Sequence, residues 1–307
     1  MSVFLLQLIN GLVQGGIYAL IAVGYTMVYG IIQLINFAHG EIFMLGAYFA
    51  LILVTATPLP FWAAVLLSMV FCAVLGMLID YIAYRPLRNA PRLSALITAI
   101  GVSLTLLNLA RMLWSSRQRT FPDDSKPAIF QSKIDLETGE VFNAIPLPDG
   151  AILPYTDIFI ILLAVVLMFA LNRLVHLTKI GKAMRACAQN PVAANLMGIK
   201  TNQVISVTFA IGSALGAVAG VMVGLREAIM PTMGYHKGIA AFAAAVLGGI
   251  GNITGAMLGG IIIGLAEAFG GGYISGGYKL AFAYVIMIVV ILIRPSGLFG
   301  KSTAQRA

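Results

Sequence analysis

Long apolar runs, interrupted at a few short polar places, dominate the pattern of this chain. Residues 1–40 carry no formal charge, and further apolar runs recur almost to the C-terminal end. A helix needs roughly 20 apolar residues to cross a hydrocarbon core of about 30 Å, and the runs lack the alternation of a barrel strand. The pattern therefore predicts an all-α, polytopic membrane protein with about 8, and at most about 10, spans, some of them short or broken.

Proline, glycine and charged residues separate the runs and set the expected helix ends. Helices are predicted over 5–30, 42–57, 61–84, 93–113, 157–178, 203–225, 238–250, 254–271 and 279–294. Forty helical residues would extend about 60 Å, so the first forty residues contain one or two crossings, and the side of the N-terminus stays open. A break is expected at Gly30, and the third helix should end at Arg85-Pro86 because proline cannot continue it.

Basic residues are distributed unevenly between the polar segments. The stretches 85–92, 173–200 and 294–306 contain no carboxylate and hold eleven of the 19 basic residues, whereas 114–157 carries four basic and seven acidic residues. Cytoplasmic loops are enriched in Lys and Arg, so we expect the three basic stretches inside and the mixed loop outside. Within the outer loop, 132–142 is typical of a small hairpin turning at Thr138-Gly139.

The composition supports lipid as the solvent and excludes several functions. Hydrophobic residues make up 60% of the 307 and charged residues 10%, against roughly 25% charged in a soluble domain. The net charge of +8 does not indicate nucleic acid, because such a surface needs a solvated basic fold with aromatic partners. The three histidines and two cysteines are dispersed, so neither a metal site, a cofactor nor a disulfide is predicted.

The polar segment from Thr178 to Asn202 has strong helix signals although it does not span the membrane. Helix-forming residues run from Gly181 to Gln189. Asn190 is a good N-cap with Pro191 at the first helical position of a second helix over 191–197, and Gly198 is a natural residue to end it. Two short helices at the inner surface favour a docking element for a cytoplasmic partner; an amphipathic interfacial hairpin without a partner is the alternative.

Glycines recur every four residues in two places. The members are Gly212, Gly216, Gly220 and Gly224 in one run, and Gly251, Gly255 and Gly259 in the other. Small residues at this spacing let helix backbones approach closely in lipid. Close helix packing is therefore predicted for both sets, in preference to lining a pore.

Polar residues at the first break are candidates for a substrate pathway or gate. Asn36, His39 and Glu41 lie where the first apolar block is interrupted. The end of a broken helix exposes unpaired backbone groups suited to a zwitterion. Alternatively, His39 and Glu41 lie at the inner interface and fix the break by hydrogen bonding, which we favour.

Two further carboxylates fall in apolar runs, where ionisable residues are costly and often functional. Glu267 is a fourth pathway or gate candidate; alternatively it pairs with Lys237 or Lys279, or reaches the outer headgroups. Asp80 lies one turn before Arg85 and is expected to be its interfacial partner.

Three segments, in order, resemble the LivH-type permeases of bacterial branched-chain amino acid ABC importers. They are GYTMVYGIIQLINFAHGEIFMLGAY over 24–48, the Gly-x-x-x-Arg-Ala, Asn-Pro, Ala-Ala and Gly-Ile order over 181–199, and AVLGGIGNITGA over 245–256. The resemblance extends over nearly the whole chain except the outer loop.

The resemblance implies a single transmembrane permease domain over 1–307 in the bacterial inner membrane, with a periplasmic loop at 114–156 and a cytoplasmic coupling loop at 179–202. It implies a non-catalytic subunit that works with a LivM-type permease, LivG- and LivF-type ATPases and a periplasmic binding protein for leucine, isoleucine and valine. It assigns ATPase coupling to Gly181, Lys182, Arg185, Ala186, Asn190, Pro191, Ala194 and Gly198.

The absence of the sequence GxxxxGK[ST] agrees with an ATPase on another chain, since this chain has no such P-loop. The alternative function is an ion- or proton-coupled secondary amino acid transporter. That class needs buried carboxylates that bind the ion, and Glu41, Glu267 and Asp80 are the candidates.

Overall fold

The computed structural model describes residues 2–88, 90–131, 133–134, 141–146 and 152–300. In these ranges the α-helices are α1 (Ser2–Ile32), α2 (His39–Ala56), α3 (Phe61–Ile79), α4 (Arg92–Trp114), α5 (Tyr155–Leu177), α6 (Lys179–Gln189), α7 (Pro191–Leu196), α8 (Thr201–Arg226), α9 (Met233–Gly248), α10 (Ile253–Tyr273) and α11 (Lys279–Ile293). Eight helical segments of the described chain are long and apolar enough to cross a membrane. The predicted polytopic helical fold is confirmed.

The first forty residues form one long helix and not two. α1 continues to Ile32, two residues past the predicted break at Gly30. Gln33 then adopts a positive φ of 52°, which ends the helix, and α2 begins at His39. The break is therefore the irregular segment 33–38.

The third helix also extends further than predicted. A π-helical turn over Asp80–Tyr84 and a 3₁₀ turn over Arg85–Leu87 continue α3 without interruption. Pro86 lies in the first positions of the 3₁₀ turn, where a backbone N–H is not needed. The helical segment therefore ends at Leu87, just after Pro86, and not at the predicted Arg85-Pro86.

Helices α9 and α10 form an antiparallel pair at the side of α1. α9 has 16 residues, a length of about 24 Å, which is less than the thickness of about 30 Å of a hydrocarbon core. Gly11 of α1 lies against Leu265 of α10, and Gly15 lies against Ile261. Residue numbers on α10 fall as those on α1 rise, so the two helices are antiparallel. Gly255 and Gly259 of α10 meet Gly248 and Ala244 of α9 in the same way, so α9 and α10 are antiparallel too.

Burial divides the helices into a central and a peripheral group. Most residues of α1, α2 and α8 are buried, whereas α4 and α11 are largely exposed. The central helices pack through glycines: Ala19 meets Gly260, and Gly46 meets Ala217, both at distances that leave no room for a side chain. Since this close approach replaces a hydrophobic driving force in lipid, the exposed apolar faces of the peripheral helices are left for lipid or another membrane subunit.

The loop between α4 and α5 is a structured cap over the helix ends. Its strands are β1 (Lys133–Ile134), β2 (Val141–Phe142), β3 (Ala144–Pro146) and β4 (Ile152–Pro154), paired β1 with β2 and β3 with β4. The β1–β2 pairing fits the predicted hairpin, although the turn at Thr138-Gly139 lies outside the described residues. Arg119 and Ile229 exchange backbone hydrogen bonds of 2.9 and 2.7 Å, which tie the loop to the α8–α9 connection.

Candidate functional site

The break between α1 and α2 lies inside the helix bundle. The His39 ring fits against Gly24 of α1, at a point where a Cβ would overlap the imidazole, and beside Gly212 and Gly216 of α8. Gly24 is eight residues from the end of α1, or about 12 Å. Asn36, His39 and Glu41 are all buried. His39 and Glu41 are therefore enclosed by helices, and their position at the inner interface stays a prediction.

Hydrogen bonding and ring contacts hold this segment in place. The Tyr84 hydroxyl, at the end of α3, donates to Asn36 Oδ1 at 2.9 Å. The Tyr25 ring meets the His39 ring edge-on, with centroids 5.0 Å apart. Irregular backbone is tolerated at membrane depth only where protein buries it or it lines a cavity. The break meets both conditions.

Glu41 faces a cavity of about 290 Å³ between α2, α4 and α9. Its Oε1 accepts a hydrogen bond of 3.2 Å from Ser103 of α4. Its Oε2 is buried and has no hydrogen-bond partner among the described residues. The remaining walls are mainly apolar and include Phe37 and Phe242.

Glu267 lies in a second cavity, of about 490 Å³, near the start of α1 and the end of α10. The Tyr18 hydroxyl donates to Glu267 Oε2 at 2.6 Å. Lys237 and Lys279 line the same cavity, but Lys237 bonds Glu227 at 3.0 Å, and the described residues contain no ion pair of Glu267 with either lysine. The predicted lysine pairing is therefore wrong, since Tyr18 on α1 is the nearer donor.

A buried ion pair lies at the C-terminal end of α3, and a serine of α8 contacts it. Arg88 contacts Asp80 Oδ1 at 2.6 Å, and Ser206 of α8 donates to Asp80 Oδ2 at 2.5 Å. Arg85 instead lies over the Tyr81 ring. The expected Asp80–Arg85 pair is wrong because the π turn rotates Asp80 towards α8 and Arg88.

The inner loop forms the two helices that its sequence predicts. The Thr178 hydroxyl caps α6 by accepting from Gly181 N at 3.0 Å, which places the start of α6 two residues before the predicted one. Asn190 Oδ1 accepts from Val192 N and Ala193 N, both at 3.0 Å. Gly198, with φ of 84°, ends the element as predicted.

One face of this two-helix element packs on the membrane helices and the other is free. Gly181, Met184, Cys187 and Ala194 are buried, while Lys182, Arg185, Asn190 and Pro191 are exposed and Ala186 lies between. Burial raises the pKa of the Cys187 thiol. On α7, Val192 is 68% exposed and Leu196 is 84% exposed. Exposed apolar side chains beside basic ones are typical of a protein-binding surface.

The element also touches the end of α1. Met184 and Arg185 line a small cavity together with Thr26 and Gly30. A larger cavity of about 590 Å³ is shared by α7, through Pro191 and Val192, with Ile31, Ile32 and Leu34. Leu34 belongs to the break, so this cavity lies between α7 and the segment that leads into α2 with His39 and Glu41.

The glycine predictions have a mixed outcome. Gly220 and Gly224 leave no room for a side chain, whereas Gly212 and Gly216 have ordinary clearance. Gly255 and Gly259 of α10 lie against the backbone of α9. The prediction that Gly251 belongs to a helix-packing stripe is wrong. Gly251 lies in the α9–α10 turn with φ of 96°, and this backbone conformation requires glycine.

Sequence reasoning missed Gly24, Tyr18 and Gly234. Gly24 gives His39 its place, Tyr18 binds Glu267, and Gly234 lies beside Glu41 Oε2. A single glycine or tyrosine in an apolar helix gives no spacing signal, so only the packing partners identify them.

Comparison with known proteins agrees with this architecture. The family model described as "Branched-chain amino acid transport system / permease component" matches residues 7–291. The chain is 41% identical to the high-affinity branched-chain amino acid transport system permease protein BraD of Pseudomonas aeruginosa, over 99% of this chain and 98% of that one. It is 40% identical to LivH of Escherichia coli, over 99% and 97%, and 22% identical to LivM of the same species, over 94% and 69%.

Proposed function

Because this chain belongs to the family of branched-chain amino acid transport permease components, we propose that it carries leucine, isoleucine and valine from the periplasm to the cytoplasm across the bacterial inner membrane. It does so as one half of the pore of an ABC importer. A LivM-type permease forms the other half, LivG- and LivF-type ATPases drive the cycle, and a periplasmic binding protein delivers the amino acid.

The observation that carries the proposal is the α6–α7 element. Both helices have side-chain caps, so the element is a rigid body and not a loose loop. Its free face combines Lys182 and Arg185 with the apolar side chains of α7. We infer that this face docks on the ATPase, with Gly181, Ala186, Asn190, Pro191, Ala194 and Gly198 setting its shape.

The mechanism follows from the contacts of α6–α7. ATP binding on the partner moves the docked element. The end of α1, which packs near α6 and lines cavities with α6–α7, then transmits the movement to the break. The pathway is taken to have an open and a closed state, and ATP shifts the equilibrium between them only by the difference in its affinity for the two states. Asn36, His39 and Glu41 then lie on the pathway that opens and closes, and Glu267 lies at its outer end.

The docking is tested with matched variants. We expect R185A and L196S to lower co-purification of the ATPases and leucine uptake, because they remove a charge and an apolar contact from the free face. R294A and I293S, exposed residues at the end of α11, should leave both unchanged. Normal uptake with full ATPase retention in R185A and L196S would contradict the docking. Poor membrane insertion of L196S would indicate a lipid-facing hairpin instead.

The energy source is tested separately. Leucine uptake should stop when ATP is depleted and continue in the presence of an uncoupler that collapses the proton gradient. The opposite result would support a secondary transporter.

A further inference from the structure

The Glu41 cavity has the properties of a ligand site that the helix packing does not explain. Glu41 is only 1% exposed, and none of the ion pairs within the described residues includes it. A buried carboxylate without a cation is costly. Arg111 of α4 acts on Glu41 only through space and forms no ion pair with it, so the position next to the carboxylate is open to a cationic ligand.

The surroundings of Glu41 define the chemistry of that partner. Ser103 occupies Oε1, and Oε2 is free beside Gly234. The cavity walls offer aromatic and aliphatic groups from Phe37, Leu104 and Phe242. A volume of about 290 Å³ is at the low end of small-molecule pockets, which run from roughly 300 to 1,000 Å³. One carboxylate and apolar walls suit a small ligand with one ammonium group and an aliphatic chain.

The first turn of α9 supplies a complementary group. Gly234 and Tyr235 line the cavity, and α9 starts at Met233. The N-terminal end of a helix carries a partial positive charge and favours a carboxylate, as in transporters with discontinuous helices. Glu41 Oε2 itself lies beside Gly234 in this turn, so the end of α9 favours the charged form of Glu41, to which the ammonium group of an amino acid can bind.

We propose that the cavity between α2, α4 and α9 is a transit site for an aliphatic α-amino acid, whose ammonium group binds Glu41 and whose side chain lies among Phe37, Leu104 and Phe242. The identity of the amino acid rests on the proposed function. Without its binding protein the site holds the ligand weakly, as passage requires.

The experiment is ligand protection in the purified transporter complex without its binding protein. Leu107 lines the cavity, and Leu109, two residues further on α4, is exposed and does not line it. Variants L107C and L109C are alkylated with a maleimide in the presence of leucine, 3-methylbutylamine or 4-methylpentanoate. The amine keeps only the ammonium group and the acid keeps only the carboxylate.

Leucine and the amine should slow alkylation of L107C and leave L109C unchanged, whereas the acid should have little effect on either. In E41Q/L107C, the amine concentration for half-protection should rise about tenfold or more, the loss expected for one hydrogen bond to a charged group. In E41D/L107C the preference for the amine should remain.

Equal protection by the amine and the acid, equal protection of L107C and L109C, or an unchanged amine concentration in E41Q would each overturn the proposal. If E41Q is not recovered, the first two comparisons still decide it. The alkylation measurement does not depend on transport, so it can fail while the proposed function holds. The proposed function itself would be contradicted if the wild-type transporter did not take up leucine.

Discussion

At the residue scale, the glycines of α8 differ in how closely another backbone approaches them. A Cβ on Gly220 would overlap the carbonyl oxygen of Phe43, which is fixed in α2. A Cβ on Gly212 would meet its nearest atom, the Cα of Gly24, at 3.4 Å, an ordinary contact. The two positions therefore respond differently to the same substitution.

We expect G220A to destabilise the protein by about 1–3 kcal/mol, because a Cβ there can be placed only by moving α2 away from α8. G212A should be neutral or slightly stabilising, since alanine favours a helix over glycine by about 1 kcal/mol. The thermal unfolding midpoints of the two variants in detergent measure the difference. Equal midpoints would mean that α2 and α8 do not pack as described.

The four-residue spacing predicted close packing at all four glycines of α8, but Gly212 and Gly216 have ordinary clearance. The spacing is a property of one helix, whereas the clearance depends on which atoms of α1 and α2 cross it. The same reason explains why Gly24 and Tyr18 were missed: their partners, His39 and Glu267, are distant in the sequence.

At the element scale, the Asp80–Arg88 pair stabilises the C-terminal extension of α3, which contacts α8 through Ser206. Asp80 is fully buried and also accepts from Ser206. Removal of one partner leaves the other charge buried without compensation, which costs about 3–5 kcal/mol. We expect D80A and R88A each to lower stability strongly, and the double variant to lose less than the sum of the two.

A double-mutant cycle on unfolding midpoints gives the coupling, expected at about 0.5–3 kcal/mol. The control is D123N in the exposed Asp123–Lys126 pair, where surface pairs contribute only about 0–1 kcal/mol. Additive losses in the cycle would show that Asp80 and Arg88 do not stabilise each other.

Elements whose ends depend on local chemistry were predicted well from the sequence. The caps at Asn190 and Gly198 act through neighbouring backbone groups, so α7 and its limits follow from the residues themselves. The ends of α1 and α3 were not predicted correctly, because the break is buried by α8 and α9 and the π turn is held by Arg88 and Ser206. Tertiary contacts determined those boundaries.

At the scale of the whole molecule, the helix count determines the side of each terminus. α1 is a single helix, and α9, although short, is antiparallel to α10. The described residues contain eight apolar spans, and we expect the 16-residue α9 to cross as well, which makes nine crossings. An odd number places the two ends of the chain on opposite sides, and from the positive-inside rule we expect the end of α11, with Arg294, in the cytoplasm.

The start of α1 is therefore expected in the periplasm, a point that the sequence left open because forty uncharged residues fit one or two crossings. Val3 is 52% exposed, and Lys200, in the basic inner loop, is exposed. In intact spheroplasts, V3C should react with a membrane-impermeant maleimide, and K200C should react only after the membrane is permeabilised.

Both native cysteines, Cys72 and Cys187, are buried, so labelling of the wild-type chain measures the background. Labelling of V3C only after permeabilisation would mean an even number of crossings, and α9 would then have to enter and leave on the same side.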